Sequence, residues 1–397
     1  MVGAPEGFQF TLGLIGVLGL TELSLLRDWK AMGFNTTFVH VNEPSSRFAR
    51  AIATHYLHIP NIGKLADGAA RKIAEFLEAT ETAGFTAMYE PTIVSTAMEL
   101  RRIGGRCKAM ASGSATFGAL ESKGAQVELA RKAGLDVLAT VVAAIKDLPG
   151  KIEGIVEYPI VLRPNRTTKT IPFKVAVCHS CDELDDVLRT CLDQTEEVIA
   201  QPFLRGPNLL VHAFRSPDAS DIDARGFDVP LKYRGFSIAL SCEEIPPDLR
   251  VGLYRFCEMA DVTGVFHFDM IRDLETGCVY FLEINPRIGA STPKVSVLGW
   301  KESEIIPRLF FRALNVPMCE KDIETRLICN KLHVLRALKS GLAGKSSATD
   351  YPYPDRVGLA RVAFRFLLTG RDEGGAIRSG FDRLRWYAHR FKVKVSR

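Results

Sequence analysis

GVFHFDMIRDLETGCVYFLEINPRIGAST, residues Gly264 to Thr292, holds two short apolar runs on either side of a polar break. Val265–Ile271 and Cys278–Ile284 are rich in β-formers, and Asp273–Gly277 has the composition of a turn, so the stretch predicts a β-hairpin. Strand side chains alternate faces with a period of two. Asp269, Glu283 and Asn285 all carry odd numbers. In an even register Asp269 and Glu283 become direct or diagonal neighbours on one face, with Asn285 one step further along. Two carboxylates and an amide oxygen gathered this way repel one another unless a cation sits between them. An oxygen-only donor set suits Mg2+ or Mn2+ far better than Zn2+. Arg287 follows at once and adds a fixed positive fork. The plainer alternative is a solvated hairpin with scattered charges. Against it, Glu283 interrupts the apolar run Val279–Ile284, where an unpaired carboxylate is costly.

A chain of 397 residues, 47% of them hydrophobic, buries a large core and predicts two or three domains. The net charge of +5 is mild, but Arg371–Arg397 alone holds eight Lys and Arg against three acids. Nine cysteines without a framework spacing fit reduced thiols, and hence a cytoplasmic protein. Cys178-His-Ser-Cys181 is half a zinc pattern with no second pair to complete it. Met1–Gly7 has no basic residue, and Leu12–Leu20 carries three glycines, so neither a signal peptide nor a membrane span is expected there. No repeat and no aromatic–basic nucleic-acid motif is present.

The first hundred residues alternate strand and helix. Phe10–Val17 predicts a strand, Thr21–Met32 a helix, Asn35–Val41 a second parallel strand, Ala69–Thr80 a helix, and Thr86–Glu90 a third strand ending at Pro91. Such alternation implies a small doubly wound sheet. Gly13, Gly16 and Gly19 do not have the dinucleotide-fingerprint spacing, so a nicotinamide cofactor is not expected. Near the other end, Glu302–Leu314 and Lys331–Ser340 predict packing or dimer helices. Ala376–Phe391 places Ile377, Phe381, Leu384 and either Trp386 or Tyr387 at helical spacing among arginines. A basic amphipathic helix of this kind binds a membrane surface or, more commonly, docks on its own protein.

Phe268-Asp269 followed by Glu283-Ile284-Asn285-Pro286-Arg287 resembles the metal-binding end of the ATP-grasp superfamily. The Asn-Pro-Arg ending is most similar to carbamoyl-phosphate synthetase large chains and to amino-acid ligases built like them. The resemblance implies an α/β fold: a pre-ATP-grasp doubly wound domain over 1–111, nucleotide-binding lobes over 112–310, and a mainly helical extension over 311–397. It makes Asp269, Glu283 and Asn285 ligands of Mg2+ or Mn2+. Lys123, which opens a helix after Ser122, stands where the family reaches the ATP phosphates. Arg163 closes the buried run Tyr158–Pro164, and an oxyanion fits its fork. The next loop, Asn165–Thr170, has no glycine where most relatives carry a glycine-rich phosphate loop, and offers Arg166, Lys169 and three threonines instead. Gln201–Asn208 resembles the adenine hinge: backbone near Phe203 and Leu204 for the base, with the amides of Gln201 and Asn208 where relatives have glutamates. Its Gly-Pro pair is similar to that of D-alanine–D-alanine ligases. Lys232 and Arg234 put two cations on one face of an extended segment, and either serves as the base that meets the γ-phosphate or the acyl phosphate. Arg287 is expected to steady an oxyanion.

The activity implied is an ADP-forming ligase using ATP to join a small carboxylate to an amine, with a homodimer compatible and no nucleic-acid partner. Two rivals stand beside it: a carbamoyl-phosphate or bicarbonate-activating enzyme, and a nucleotide-binding sensor or scaffold without catalysis.

Overall fold

The computed structural model describes residues 10–62, 66–166, 171, 173–191, 196–311, 327–345, 347, 349–352, 355–376, 382, 384–386 and 388. Lys169 and most of Ala376–Phe391 lie outside the described residues.

The N-terminal third is a parallel sheet wrapped by helices. In chain order it runs β1 (Thr11–Gly16), α1 (Leu20–Ala31), β2 (Asn35–Val41), α2 (Arg47–Ala51), β3 (His55–Ile59), α3 (Ala66–Ala79), β4 (Thr82–Ala87), α4 (Glu90–Arg102) and β5 (Lys108–Ala109). The spatial order β3-β2-β1-β4-β5 reverses at β1, which makes it doubly wound. Two expectations need correction. His55–Ile59 is a strand that the sequence reading missed, because its two histidines hide the apolar alternation. The strand expected at Thr86–Glu90 is the fourth, begins at Thr82 and ends at Ala87, and Glu90-Pro91 opens α4 instead. Proline suits a helix's first turn, where its missing N–H is no loss.

A linker with α5 (Ser114–Ala119) and α6 (Lys123–Lys132) leads to a four-stranded antiparallel sheet. Its members are β6 (Val141–Ala144), β7 (Ile160–Pro164), β8 (Ala176–Cys178) and β9 (Glu197–Pro202), with α7 (Leu148–Ile152) and α8 (Cys181–Arg189) packed on it. The chain then crosses into the central sheet: β10 (Asn208–Arg215), β11 (Ile222–Tyr233), β12 (Phe236–Glu243), α9 (Pro247–Ala260), β13 (Gly264–Arg272) and β14 (Val279–Asn285). At the crossing a Cβ on Gly206 would sit 1.9 Å from the Arg272 carbonyl oxygen, so only glycine lets the two backbones approach.

After α10 (Thr292–Val297) and α11 (Glu302–Phe310) come β15 (Leu327–Cys329), α12 (Lys331–Leu342), α13 (Arg356–Thr369) and β16 (Arg371–Asp372). The expected Glu302–Leu314 helix therefore stops at Phe310, since Phe311 has left helical dihedrals. β15 and β16 extend the central sheet, whose order is β14-β13-β10-β11-β12-β15-β16. Tyr351 also exchanges two backbone hydrogen bonds with Lys232 of β11, at 3.0 and 3.3 Å. At its described positions the basic C-terminal stretch docks on its own protein. Trp386 packs on the core that includes α1 and donates to the Leu18 carbonyl at 3.3 Å, and Asp382 pairs with Arg27 at 2.9 Å. Among the described residues no helix is long and apolar enough to cross a membrane.

Candidate active site

The cleft between the two antiparallel sheets gathers most residues singled out from the sequence. Its volume is about 240 Å3. Arg163 and Gln201 come from the four-stranded sheet, Phe203 and Leu204 from the crossing, and Asn208, Lys232, Asp269 and Glu283 from the central sheet. Leu138, Val161, Ile271 and Leu282 supply apolar walls. A larger cleft of about 580 Å3 lies along α4 and β5, but it holds none of these groups. Chemistry, not size, selects the smaller one.

In the hairpin, Asp269 stands directly opposite Glu283, and His267 opposite Asn285, as an even register requires. A bulge after Asp269 shifts the remaining pairs by one. Asn285 turns its amide nitrogen toward Asp269 Oδ2 at 3.1 Å, while its oxygen accepts from Arg287 at 3.3 Å. Glu283 Oε2 lies 3.4 Å from Arg163 Nη1 and 3.5 Å from Lys123 Nζ. Among the described residues no group of three His, Cys, Asp or Glu is gathered. The donor set is two hard carboxylates plus an amide, which fits Mg2+ or Mn2+.

Electrostatics set the two carboxylates apart. Burial, and then the charge of Glu283, push Asp269 up to about 7, against Arg163, Arg287 and Lys232. Burial also pushes Glu283 up, but Lys123 and Arg163 outweigh it and hold its carboxyl below the ordinary value. A half-buried acid driven up by desolvation and then by a facing carboxylate is what a site short of positive charge shows. The sign of its linkage follows. Asp269 in the folded chain titrates near 7, above its ordinary 3.8, so its stabilising contribution is present below 3.8 and lost as pH rises through about 7. Thermal melts of the metal-free protein between about pH 5 and about pH 8 should show this loss, and Asp269→Asn should remove it. A pH dependence unchanged in Asp269→Asn would assign the effect to other groups.

The remaining residues sort by position. Ser122 caps α6 and Asn165 accepts the Gly124 N–H at 2.9 Å, which pins the helix end that carries Lys123. Asn165 is buried, and nothing in its local sequence marks it. Gln201 accepts from Arg163 at 2.8 Å and donates to Thr140 at 3.0 Å, so its amide holds Arg163. Phe203 already donates its N–H to the Pro159 carbonyl at 2.8 Å. Lys232 donates to Asn208 Oδ1 at 2.8 Å, and burial pushes its ammonium down to about 8. Arg234 differs from expectation: it does not share a strand face with Lys232. With Gly235 it forms the turn between β11 and β12, at φ 52° and 74°, and its guanidinium lies over the Tyr233 ring. Arg166 pairs with Glu121 at the surface, at 2.9 Å.

Arg287 reaches out of the hairpin to Glu90, Nε to Oε1 at 2.7 Å. Glu90 opens α4 just beyond the carboxyl end of β4, the edge where open parallel sheets bind ligands. The N-terminal domain thus meets the hairpin at this ion pair.

No family model matches the chain, and a search of curated proteins finds no match. Solved structures do match. An N5-carboxyaminoimidazole ribonucleotide synthetase, purK, in its ADP complex superposes with a TM-score of 0.66 at 14% identity, covering 91% of this chain and 97% of that one. The fold is the ATP-grasp fold. The biotin carboxylase domain dimer of Hydrogenobacter thermophilus 2-oxoglutarate carboxylase, with MgADP and bicarbonate, gives 0.66 at 14% over 82% of this chain and 75% of that one. An L-amino acid ligase from Bacillus licheniformis gives 0.60 at 13% over 76% and 75%. At these identities the likeness to ATP-grasp enzymes is one of fold.

Proposed function

We propose that the chain is an ADP-forming ligase that phosphorylates a small carboxylate with ATP and joins the resulting acyl phosphate to an amine. The observation behind this reading is the convergence of Asp269, Glu283, Arg163, Lys123 and Lys232 on one cleft between two sheets. Asp269 and Glu283 would hold Mg2+, with Asn285 joining them by presenting its oxygen. Neutralising charge on the transferring phosphoryl group is the chemistry that Mg2+ supplies at such a site. Arg163, held by Gln201, and Lys123 would grip the phosphate chain. The Phe203 carbonyl and the Leu204 N–H are left to meet the adenine edge, and Asn208 keeps its amide N–H groups for the ribose. Lys232 is the better placed of the two bases to meet the γ-phosphate, since Arg234 does not line the cleft.

In the first step the substrate carboxylate attacks the γ-phosphorus and ADP leaves. In the second, the amine attacks the acyl carbonyl, Arg287 steadies the tetrahedral oxyanion, and phosphate leaves as the nitrogen loses a proton. A strong small nucleophile intercepts such an acyl phosphate. Incubation with Mg-ATP, hydroxylamine and a panel of amino and hydroxy acids is therefore expected to yield a hydroxamate, ADP and phosphate. Release of AMP and pyrophosphate would overturn the acyl-phosphate step, and failure to bind ATP in calorimetry would overturn the whole reading. A second reading takes bicarbonate as the carboxylate, favoured by the likeness in fold to a biotin carboxylase domain holding bicarbonate. Stimulation of ADP release by bicarbonate, with no hydroxamate from any acid, distinguishes it.

A further inference from the structure

A row of polar groups runs across the buried face of the central sheet behind Arg287. His212, His267 and Asn285 are register partners on β10, β13 and β14. The imidazoles of His212 and His267 stack with centroids 5.2 Å apart, and both rings are buried. His212 Nδ1 lies 2.7 Å from Glu302 Oε1, and its Nε2 lies 2.9 Å from Ser291 Oγ. Glu302 is 1% exposed. Its second oxygen accepts the Thr292 hydroxyl at 2.5 Å, and Thr292 Oγ1 in turn accepts the Gly289 N–H at 3.2 Å. The Gly289 carbonyl accepts from Thr21 of α1 at 3.2 Å. Burial, then His212 and Arg287, hold His267 well below its ordinary pKa, and its Nδ1 is buried without a hydrogen-bond partner among the described residues. A Cβ on Gly289 would sit 2.5 Å from His267 Cε1, so the loop lies flat on that ring.

The loop from Arg287 to Thr292 is thus tied at both backbone groups of Gly289 and at the Ser291 hydroxyl, with Gly289 packed against the His267 ring. Burying a carboxylate and two imidazoles is costly. The connected chain of hydrogen bonds through Ser291, His212, Glu302 and Thr292 returns rigidity and a single geometry. What it makes rigid here is the base of the one arginine that bridges Asn285 and Glu90. The order Ser291, His212, Glu302 is also that of an activated nucleophile. Ser291 does not line the cleft, however, which speaks against an acyl-serine.

We infer that His212, His267, Glu302 and Ser291 are positioning residues that fix the Arg287 loop for acyl transfer, an inference that rests on the ligase reading above. The test uses the full chain with Glu302→Gln, Arg287→Lys and the double substitution. Glu302→Gln is expected to lower kcat for hydroxamate formation about tenfold while ATP's Michaelis constant moves less than about twofold. The double substitution should be no slower than Arg287→Lys alone. Independently of turnover, the Nε–H resonance of Arg287, assigned by its loss in Arg287→Lys, should shift or broaden in Glu302→Gln. Losses that multiply, with an unmoved resonance, would overturn the inference and leave the ligase reading intact. A wild type without turnover would overturn the ligase reading instead, and the resonance would then decide the coupling alone: a shift supports it, and no shift ends it. If Glu302→Gln melts far below wild type, Ser291→Ala, which removes a single hydroxyl, carries the same measurements.

Discussion

Glu283→Gln and Asp269→Asn are each expected to lower Mg2+-dependent ADP formation by on the order of a hundredfold or more, because each removes half of the carboxylate pair that lines the cleft among the described residues. Their effects on the metal-free fold should differ in sign. Glu283 answers two cations, Lys123 and Arg163, and replacing its charge takes from each its carboxylate partner. Asp269 is pushed up by burial and by Glu283, so neutralising it relieves repulsion. Thermal melts at about pH 8 without metal should therefore place Glu283→Gln below wild type and Asp269→Asn at or above it. Wild-type-like turnover in either variant would sink the metal assignment. A shared drop in melting temperature would show that the carboxylates are mainly structural.

Arg287→Ala is expected to slow hydroxamate and amide formation by on the order of a hundredfold, as loss of an oxyanion donor typically does. Because the guanidinium is held by Glu90 and Asn285 outside the phosphate grip, ATP's Michaelis constant should stay near wild type. ADP should then be released without matching product, since phosphorylation of the carboxylate survives and its capture does not. A raised constant for ATP, with ADP and product still in step, would move Arg287 into the phosphate site.

The hairpin was legible because its information is local. Strand parity and one misplaced carboxylate in an apolar run placed Asp269, Glu283 and Asn285 together, and the pairing agrees. What the sequence hid is what long-range packing decides. Gln201 reads as a hinge residue that meets a nucleotide, yet its amide is spent on Arg163 and Thr140, partners fixed by sheet pairing and not by adjacency. Arg287 and Glu90 stand 197 residues apart in sequence, and no periodicity connects them. Arg234 was misread for a local reason: an Arg-Gly pair between two β runs is also a turn signal, and the backbone took that option. His55–Ile59 was missed because two histidines break up its short apolar pattern, and only its pairing with β2 makes it a strand.

The strands that arrive last in the chain have a bearing on how the molecule can be cut. β15 covers the outer rim of β12, and Tyr351 laces its main chain to Lys232. A fragment ending at Phe310 would therefore not be a pared-down version of the same fold. It would present a raw β-edge to its neighbours, an invitation to polymerise. It would also lose the clasp that holds the β11 lysine at its depth, so the cleft is finished only when residues more than a hundred positions further along have folded back over it.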